Sequence, residues 1–199
     1  MVEILVLYYT QYGSTMEMAN QVARGVEEIS NATARIRTVP RVSPVCQATE
    51  DSIPASGHAY ANLDDLSECD GLALGSPTHY GNMAASMKHF WDNTTELWFS
   101  GGLAGKPAGC FTAVSSMHGG HETTLLSMML PLFHHGMMIL GIPSTEVALM
   151  KTVSGGTPYG PSHLSGKDKN GLTADEKTIC RNLGKRLART AIALANGNS

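Results

Sequence analysis

The sequence predicts an α/β fold: a doubly wound, five-stranded parallel sheet with helices on both faces and long insertions. Three observations carry this reading. Short apolar runs alternate with segments of helical periodicity along the chain. The first run, Ile4 to Tyr9, is almost continuously apolar, as a strand covered on both faces must be. The segment after it, Ser14 to Ile29, places Ala19, Val22, Val26 and Ile29 on one helical face.

The remaining elements follow in order. Thr33 to Val39 is rich in β-branched residues and makes the second strand. Pro40 to Asn62 has little periodicity and reads as a long excursion. Leu72 to Leu74 makes a short third strand ending at Gly75, and Ala84 to Asn93 the helix after it. Ala108 to Ser115 is the fourth strand, Glu122 to His135 its helix, and Met137 to Ile142 the fifth strand. Pro143 to Leu172, rich in Gly, Pro and Ser, is a second excursion. Thr173-Ala174-Asp175-Glu176 is a capping box that opens the last helix, whose apolar stripe is Ile179, Leu183, Leu187, Ala191 and Leu194.

Composition bounds the function. Hydrophobic residues make up 42% of the 199, enough for one substantial core, so a single domain over residues 1–199 is expected. A net charge of −3 lacks the basic footprint of a nucleic-acid binder. No apolar run is long enough to cross a bilayer, and the N-terminus lacks the basic region of a secretory signal. Cys46, Cys69, Cys110 and Cys180 form no C-x-x-C pair, which fits reduced thiols. A cytoplasmic protein without stable membrane insertion is the expectation.

Three loops at strand ends carry the candidate chemistry, because ligands of open parallel sheets bind at the carboxyl ends of the strands. The first is Thr10-Gln11-Tyr12-Gly13-Ser14-Thr15. Its small residues and hydroxyls precede a helix, which suits a phosphate; an ordinary N-capped helix start would use the same residues. It lacks the lysine of a Walker loop, and no G-x-G-x-x-G follows the first strand. The second, Gly75 to Asn82, contains Pro77, Thr78, His79, Tyr80, Gly81 and Asn82 and offers backbone groups to a planar ring. A tight turn with incidental aromatics is its plainer reading. The third, Thr112-Ala113-Val114-Ser115-Ser116 through Gly119, again offers small residues and backbone donors. His118, His121 and Glu122, with His134 and His135 downstream, do not have H-E-x-x-H spacing, so no metal site is expected.

The strings Leu5-Val6-Leu7-Tyr8-Tyr9, Tyr12-Gly13, Gly75-Ser76-Pro77-Thr78, Gly81-Asn82-Met83, Leu97-Trp98, Gly105-Lys106-Pro107, His118-Gly119-Gly120, His134-His135-Gly136 and Gly155-Gly156-Thr157-Pro158-Tyr159-Gly160, in this order, resemble the WrbA family of flavodoxin-like NAD(P)H:quinone oxidoreductases. The resemblance implies a flavodoxin-like fold, a non-covalently bound FMN and a homotetramer built as a dimer of dimers. It implies that Thr10 to Thr15 hold the FMN phosphate, and that Pro77 to Asn82 and Thr112 to Gly119 flank the isoalloxazine. Tyr12, Trp98 and His134 would line the pocket in front of the flavin, with His134 within reach of the flavin edge or the quinone oxygen. NADH or NADPH and then a quinone would use one flavin face in turn, giving ping-pong kinetics. Many family members have Arg-Phe where this chain has His79-Tyr80; arginine is a fixed cation, whereas histidine is charged only when protonated. Two other classes compete. A single-electron flavodoxin would be more acidic and lack the excursions. A non-enzymatic interaction protein would need a basic patch or an exposed apolar helix, and the sequence displays neither.

Overall fold

The computed structural model describes residues 1–42, 54, 56–166 and 171–197. The elements are β1 (Val2–Tyr8), α1 (Ser14–Glu27), β2 (Ala32–Thr38), α2 (Leu63–Glu68), β3 (Gly71–His79), β4 (Asn82–Met83) and α3 (Ala85–Asp92), followed by α4 (Thr95–Phe99), β5 (Pro107–Val114), α5 (His121–His134), β6 (Met138–Ile139), α6 (Val147–Lys151), β7 (Ser162–Leu164) and α7 (Ala174–Gly197). Parts of both expected excursions, and Cys46, lie outside the described residues.

The sheet runs β2-β1-β3-β5-β6 with all neighbours parallel, and Val6 lies opposite Ile36 on one side and Ala73 on the other. Side chains alternate across β1. Ile4, Val6 and Tyr8 pack toward α1 and α7, while Leu5 and Leu7 pack among Leu66, Met87, Leu125 and Met128 of α2, α3 and α5. Both faces are therefore covered, which is why β1 reads as an uninterrupted apolar run. The two helices on the first face touch backbone to backbone. A Cβ on Gly25 would stand 1.9 Å from the Arg181 carbonyl oxygen, and one on Gly184 2.1 Å from that of Val22. Any side chain at either position would push the helices apart.

Three expectations need correction. The third strand does not end at Gly75. It continues through Ser76, Pro77 and Thr78 to His79. Proline is tolerated there because β1 stops pairing with β3 at Gly75, leaving one side of the strand without a ladder to break. The fifth strand is not continuous from Met137 to Ile142. Only Met138 and Ile139 form β6; the chain then leaves the sheet, and the Ile142 N–H donates to the Pro158 carbonyl (2.9 Å). After the second excursion β7 takes over the upper half of the same edge, with Ser162, His163 and Leu164 opposite Thr112, Ala113 and Val114. The sheet thus has seven strands, counting the antiparallel β4 on β3, and five positions along its main path. Finally, α2, α4 and α6 are short helices that periodicity did not reveal.

The capping box forms as read. The Glu176 carboxylate accepts the Thr173 N–H (2.8 Å), and Thr173 Oγ1 accepts the Glu176 N–H (3.2 Å). The same carboxylate also accepts the N–H groups of Gly155 (2.9 Å) and Leu164 (3.1 Å) and lies 2.9 Å from His163 Nδ1. It therefore ties the start of α7 to both ends of the segment that carries β7. Burial would raise this carboxyl, but the bonds from His163 and from the amides of Thr173 and Leu164 outweigh that effect and hold it at about 2.

Candidate active site

The carboxyl ends of β1, β3 and β5 converge on a cavity of about 210 Å³. Its wall takes Thr10, Gln11, Tyr12, Ser14 and Thr15 from the first loop, Pro77, Thr78 and His79 from β3, and Ala113, Val114 and Ser115 from β5. Among the described residues no carboxylate lines it. Gly13 caps α1 at φ 98° and supplies no side-chain hydrogen bond, so no side chain occupies the first-turn amides. A Cβ on Gly13 would meet nothing within 4 Å, so the loop is open at that point. The Gly13 N–H instead donates to Thr10 Oγ1 (3.0 Å), which folds the loop back on itself. Glu17 is the one acid of the first turn and does not line the cavity, so an uncapped helix N-terminus beside three hydroxyl residues is left suited to a phosphate.

The second loop is held from behind. Ser76 Oγ accepts the Ala84 N–H (2.8 Å), and Thr112 Oγ1 donates to the Ser76 carbonyl (2.8 Å). Thr78 Oγ1 lies 2.7 Å from Thr124 Oγ1 and reaches the Gly119 carbonyl at 3.4 Å. Tyr80 (φ 53°) and Gly81 (φ 77°) form the two-residue turn that joins β3 to β4, with consecutive positive φ values typical of a type I′ hairpin. Tyr80 projects wholly into solvent from that tip. On the third loop, His121 is buried, lies 3.3 Å from the Ser116 carbonyl, and has its basicity lowered chiefly by burial.

The expected residues therefore divide. Thr10, Gln11, Tyr12, Ser14, Thr15, Pro77, Thr78, His79, Ala113, Val114 and Ser115 meet at one cavity. Gly13, Thr112, Ser116 and Gly119 do not line it; Thr112 is fully buried and Ser116 is exposed. Tyr80, Gly81 and Asn82 sit at the hairpin, outside that wall. Ser165 and Gly166, which sequence reasoning passed over, line the cavity directly after β7. They repeat the small-residue signal of the other loops, but inside an excursion where such residues are commonplace.

Trp98 and His134 are brought together elsewhere. Trp98 Nε1 donates to the His134 carbonyl (2.8 Å), and both line a separate hollow of about 500 Å³ with Trp91, Thr94, Thr95 and His135. Thr94 Oγ1 donates to the Trp91 carbonyl (2.8 Å), so at its 2.9 Å contact with His135 the Nε2–H is the donor. Around this hollow Trp98 is 45% exposed, Phe99 77% and Phe133 58%. Within one chain, neither Trp98 nor His134 lines the strand-end cavity. Among the described residues no three of His, Cys, Asp and Glu gather as a metal would require.

Residues 4–151 match the family model described as NADPH-dependent FMN reductase. A protein from Chromohalobacter salexigens named NAD(P)H dehydrogenase (quinone) is 41% identical over 98% of this chain and 100% of its own length. Its namesake from Solidesulfovibrio magneticus is 37% identical over 93% of this chain and 95% of its own. In three dimensions the chain matches the flavodoxin, WrbA-like protein from Agrobacterium tumefaciens with a TM-score of 0.67 over 97% of this chain and 99% of that one, at 24% identity, which establishes the flavodoxin-like fold. The chain belongs to the NADPH-dependent FMN reductase family and shares it with the proteins named NAD(P)H dehydrogenase (quinone).

Proposed function

We propose that the protein is an FMN-dependent NAD(P)H:quinone oxidoreductase, and that the strand-end cavity is its flavin site. The observation that carries this is the wall itself: three strand ends, an uncapped helix N-terminus and, among the described residues, no carboxylate. The residues fit the cofactor. Thr10, Ser14 and Thr15, with the first amides of α1, would hold the phosphate without a lysine. Pro77 to His79 and Ala113 to Ser115 would border the ring, and Ser165 and Gly166 would close the third side. When bound, FMN supplies the two-electron redox chemistry that joins NAD(P)H oxidation to quinone reduction.

The chain's own residues position and shield. The bonds from Ser76, Thr112 and Thr124 fix the backbone of β3 beside the cavity, so the wall a ring would meet is set before binding. Gln11 and His79 border the open side, where donor and acceptor must enter in turn.

A homotetramer completes the site in this reading. Contrary to the expectation that no apolar helix is exposed, Leu126, Leu130 and Phe133 form an exposed apolar stripe along α5, and Val147, Met150 and Val153 a second exposed group on and after α6. Two separate apolar faces suit a dimer of dimers. Trp98 and His134 stand beside the first face and would be delivered to a neighbouring subunit's cavity. We place the protein in the cytoplasm: no described helix is long and apolar enough to cross a membrane, and Cys69, Cys110 and Cys180 are buried free thiols.

Steady-state NAD(P)H oxidation with and without benzoquinone tests the activity. Turnover that requires quinone and gives parallel double-reciprocal lines is expected. Intersecting lines would mean a ternary complex and a separate quinone pocket, and absence of turnover in FMN-loaded protein would remove the enzymatic reading.

A further inference from the structure

Helix α4 carries Trp98, yet the core does little to place it. None of its five residues is buried, and Leu97, half-buried, packs against the core on the α3 and α5 side of the sheet. The residue before it, Thr94, is an N-cap whose side chain does not cap. A threonine there ordinarily turns its hydroxyl onto the first-turn amides. Here the hydroxyl turns away: it donates to the Trp91 carbonyl (2.8 Å) and accepts from His135 Nε2 (2.9 Å). Trp98, near the other end of α4, donates from Nε1 to the His134 carbonyl (2.8 Å). The short helix is thus tied near both ends to consecutive residues at the carboxyl end of α5.

Stability alone does not account for a histidine at position 135. The ring is 8% exposed and sits edge-on to Trp91, with centroids 5.4 Å apart. Its Nδ1 is buried and has no hydrogen-bond partner among the described residues, and the same holds for Trp91 Nε1. A buried imidazole that makes one bond and leaves its other nitrogen unpaired gains nothing over an apolar side chain of similar size. Burial, and then the neighbouring His134, lower its basicity, which favours a neutral ring donating from Nε2. What histidine supplies here and leucine does not is the bond to Thr94.

We propose that His135 is a positioning residue, which through Thr94 sets α4 and the Trp98 ring as a preformed wall for the quinone. An exposed indole that is already fixed loses little conformational freedom when a planar substrate arrives. The proposal rests on the reading of this hollow as the quinone side of the reaction.

Fluorine NMR of FMN-loaded protein carrying fluorotryptophan reports Trp98 directly, since the chain has 2 tryptophans and Trp98→Phe assigns the signals. One narrow Trp98 resonance is expected in the wild type. His135→Leu broadens or splits it and raises the quinone KM roughly fivefold, with kcat changed less and Tm within a few degrees of wild type. His135→Gln keeps a side-chain N–H and restores the narrow signal and most of the KM. Thr94→Ala cuts the same bond from its other end and matches His135→Leu, and the double variant is no worse than either single one. A Trp98 resonance and a quinone KM that His135→Leu leaves as in the wild type overturn the proposal. So does a His135→Leu variant whose losses follow a large fall in Tm and are not rescued by His135→Gln. An altered Trp98 resonance with an unchanged quinone KM upholds the positioning and removes the hollow from the quinone reading instead.

Discussion

The two hollows that border the upper half of this molecule differ in how they are finished. The strand-end cavity is finished by the chain itself. Its walls are backbone segments whose polar groups are bonded from behind by Ser76, Thr112, Thr124 and Glu176. The hollow around Trp98 is left open, with aromatic rings exposed around it and α5 presenting leucines to solvent. Under the proposed function, the difference means that cofactor binding is a property of the single fold, while the walls facing the substrates are left to an assembly. Four predictions break or sharpen that contrast.

The largest effect is expected at Glu176. Its carboxylate holds the start of β7's segment, the end of β7 and the cap of α7 together, and β7 leads directly to Ser165 and Gly166. Glu176→Ala leaves those buried groups unpaired and should cost about 3 kcal/mol, read as a lower Tm, with weaker FMN retention. The same carboxyl gives the stability its pH dependence. Because its folded pKa, about 2, lies below the unfolded value, its contribution is complete above roughly pH 4.5 and is lost as pH falls toward 2. Acid titration of the wild type should show destabilisation in that window, and Glu176→Gln should flatten it. A Tm for Glu176→Ala within a degree or two of wild type would show that the hub is not needed.

Next comes the phosphate loop. Thr15 is buried and lines the cavity at the start of α1. Thr15→Val keeps its shape and removes its hydroxyl, so FMN affinity should fall roughly tenfold while riboflavin affinity stays level. An equal loss for both would move the phosphate elsewhere.

Trp98→Ala probes the other hollow. FMN binding should survive. The quinone KM should rise several-fold, about 1 kcal/mol, and light scattering should report weakened tetramers. If the variant loses FMN as well, the two hollows are one site and the contrast collapses.

The smallest effect is at His79, which borders the open side of the strand-end cavity. His79→Arg installs a permanent cation at the entrance and should lower the KM for the nicotinamide cofactor by a few-fold, about 1 kcal/mol or less. An unchanged KM would assign His79 to the turn alone.

Much of this architecture was legible from residue order. A strand covered on both faces has to be apolar throughout, so β1 declared itself, and the spacing of Val22 and Val26 declared α1. The capping box was legible because Thr173 and Glu176 are local to one another. The extension of β3 was not, because Gly75 and Pro77 are breakers in most strands; Gly75 is needed because the Phe111 ring leaves no room for a Cβ, and Pro77 is allowed because β1 stops pairing at Gly75. The split fifth strand was hidden for the opposite reason. Met137 to Ile142 looks like one strand, yet the edge it would fill is divided between two segments that lie far apart in sequence. At the site, Thr10 to Thr15 could be read from the strand–loop–helix order. Ser165 and Gly166 could not, since their placement depends on Glu176 downstream. Trp98 and His134, expected with Tyr12 in front of the flavin, lie together in a hollow separate from the strand-end cavity that Tyr12 lines, and no local pattern reveals that separation.

The central claim is that one chain by itself builds an FMN site around the phosphate. Isothermal titration with FMN and with riboflavin tests it directly. The account predicts one FMN per chain, bound at least roughly tenfold more tightly than riboflavin, with Trp98→Ala binding FMN like the wild type. Equal affinity for FMN and riboflavin, or binding that vanishes when Trp98 is removed, would contradict it.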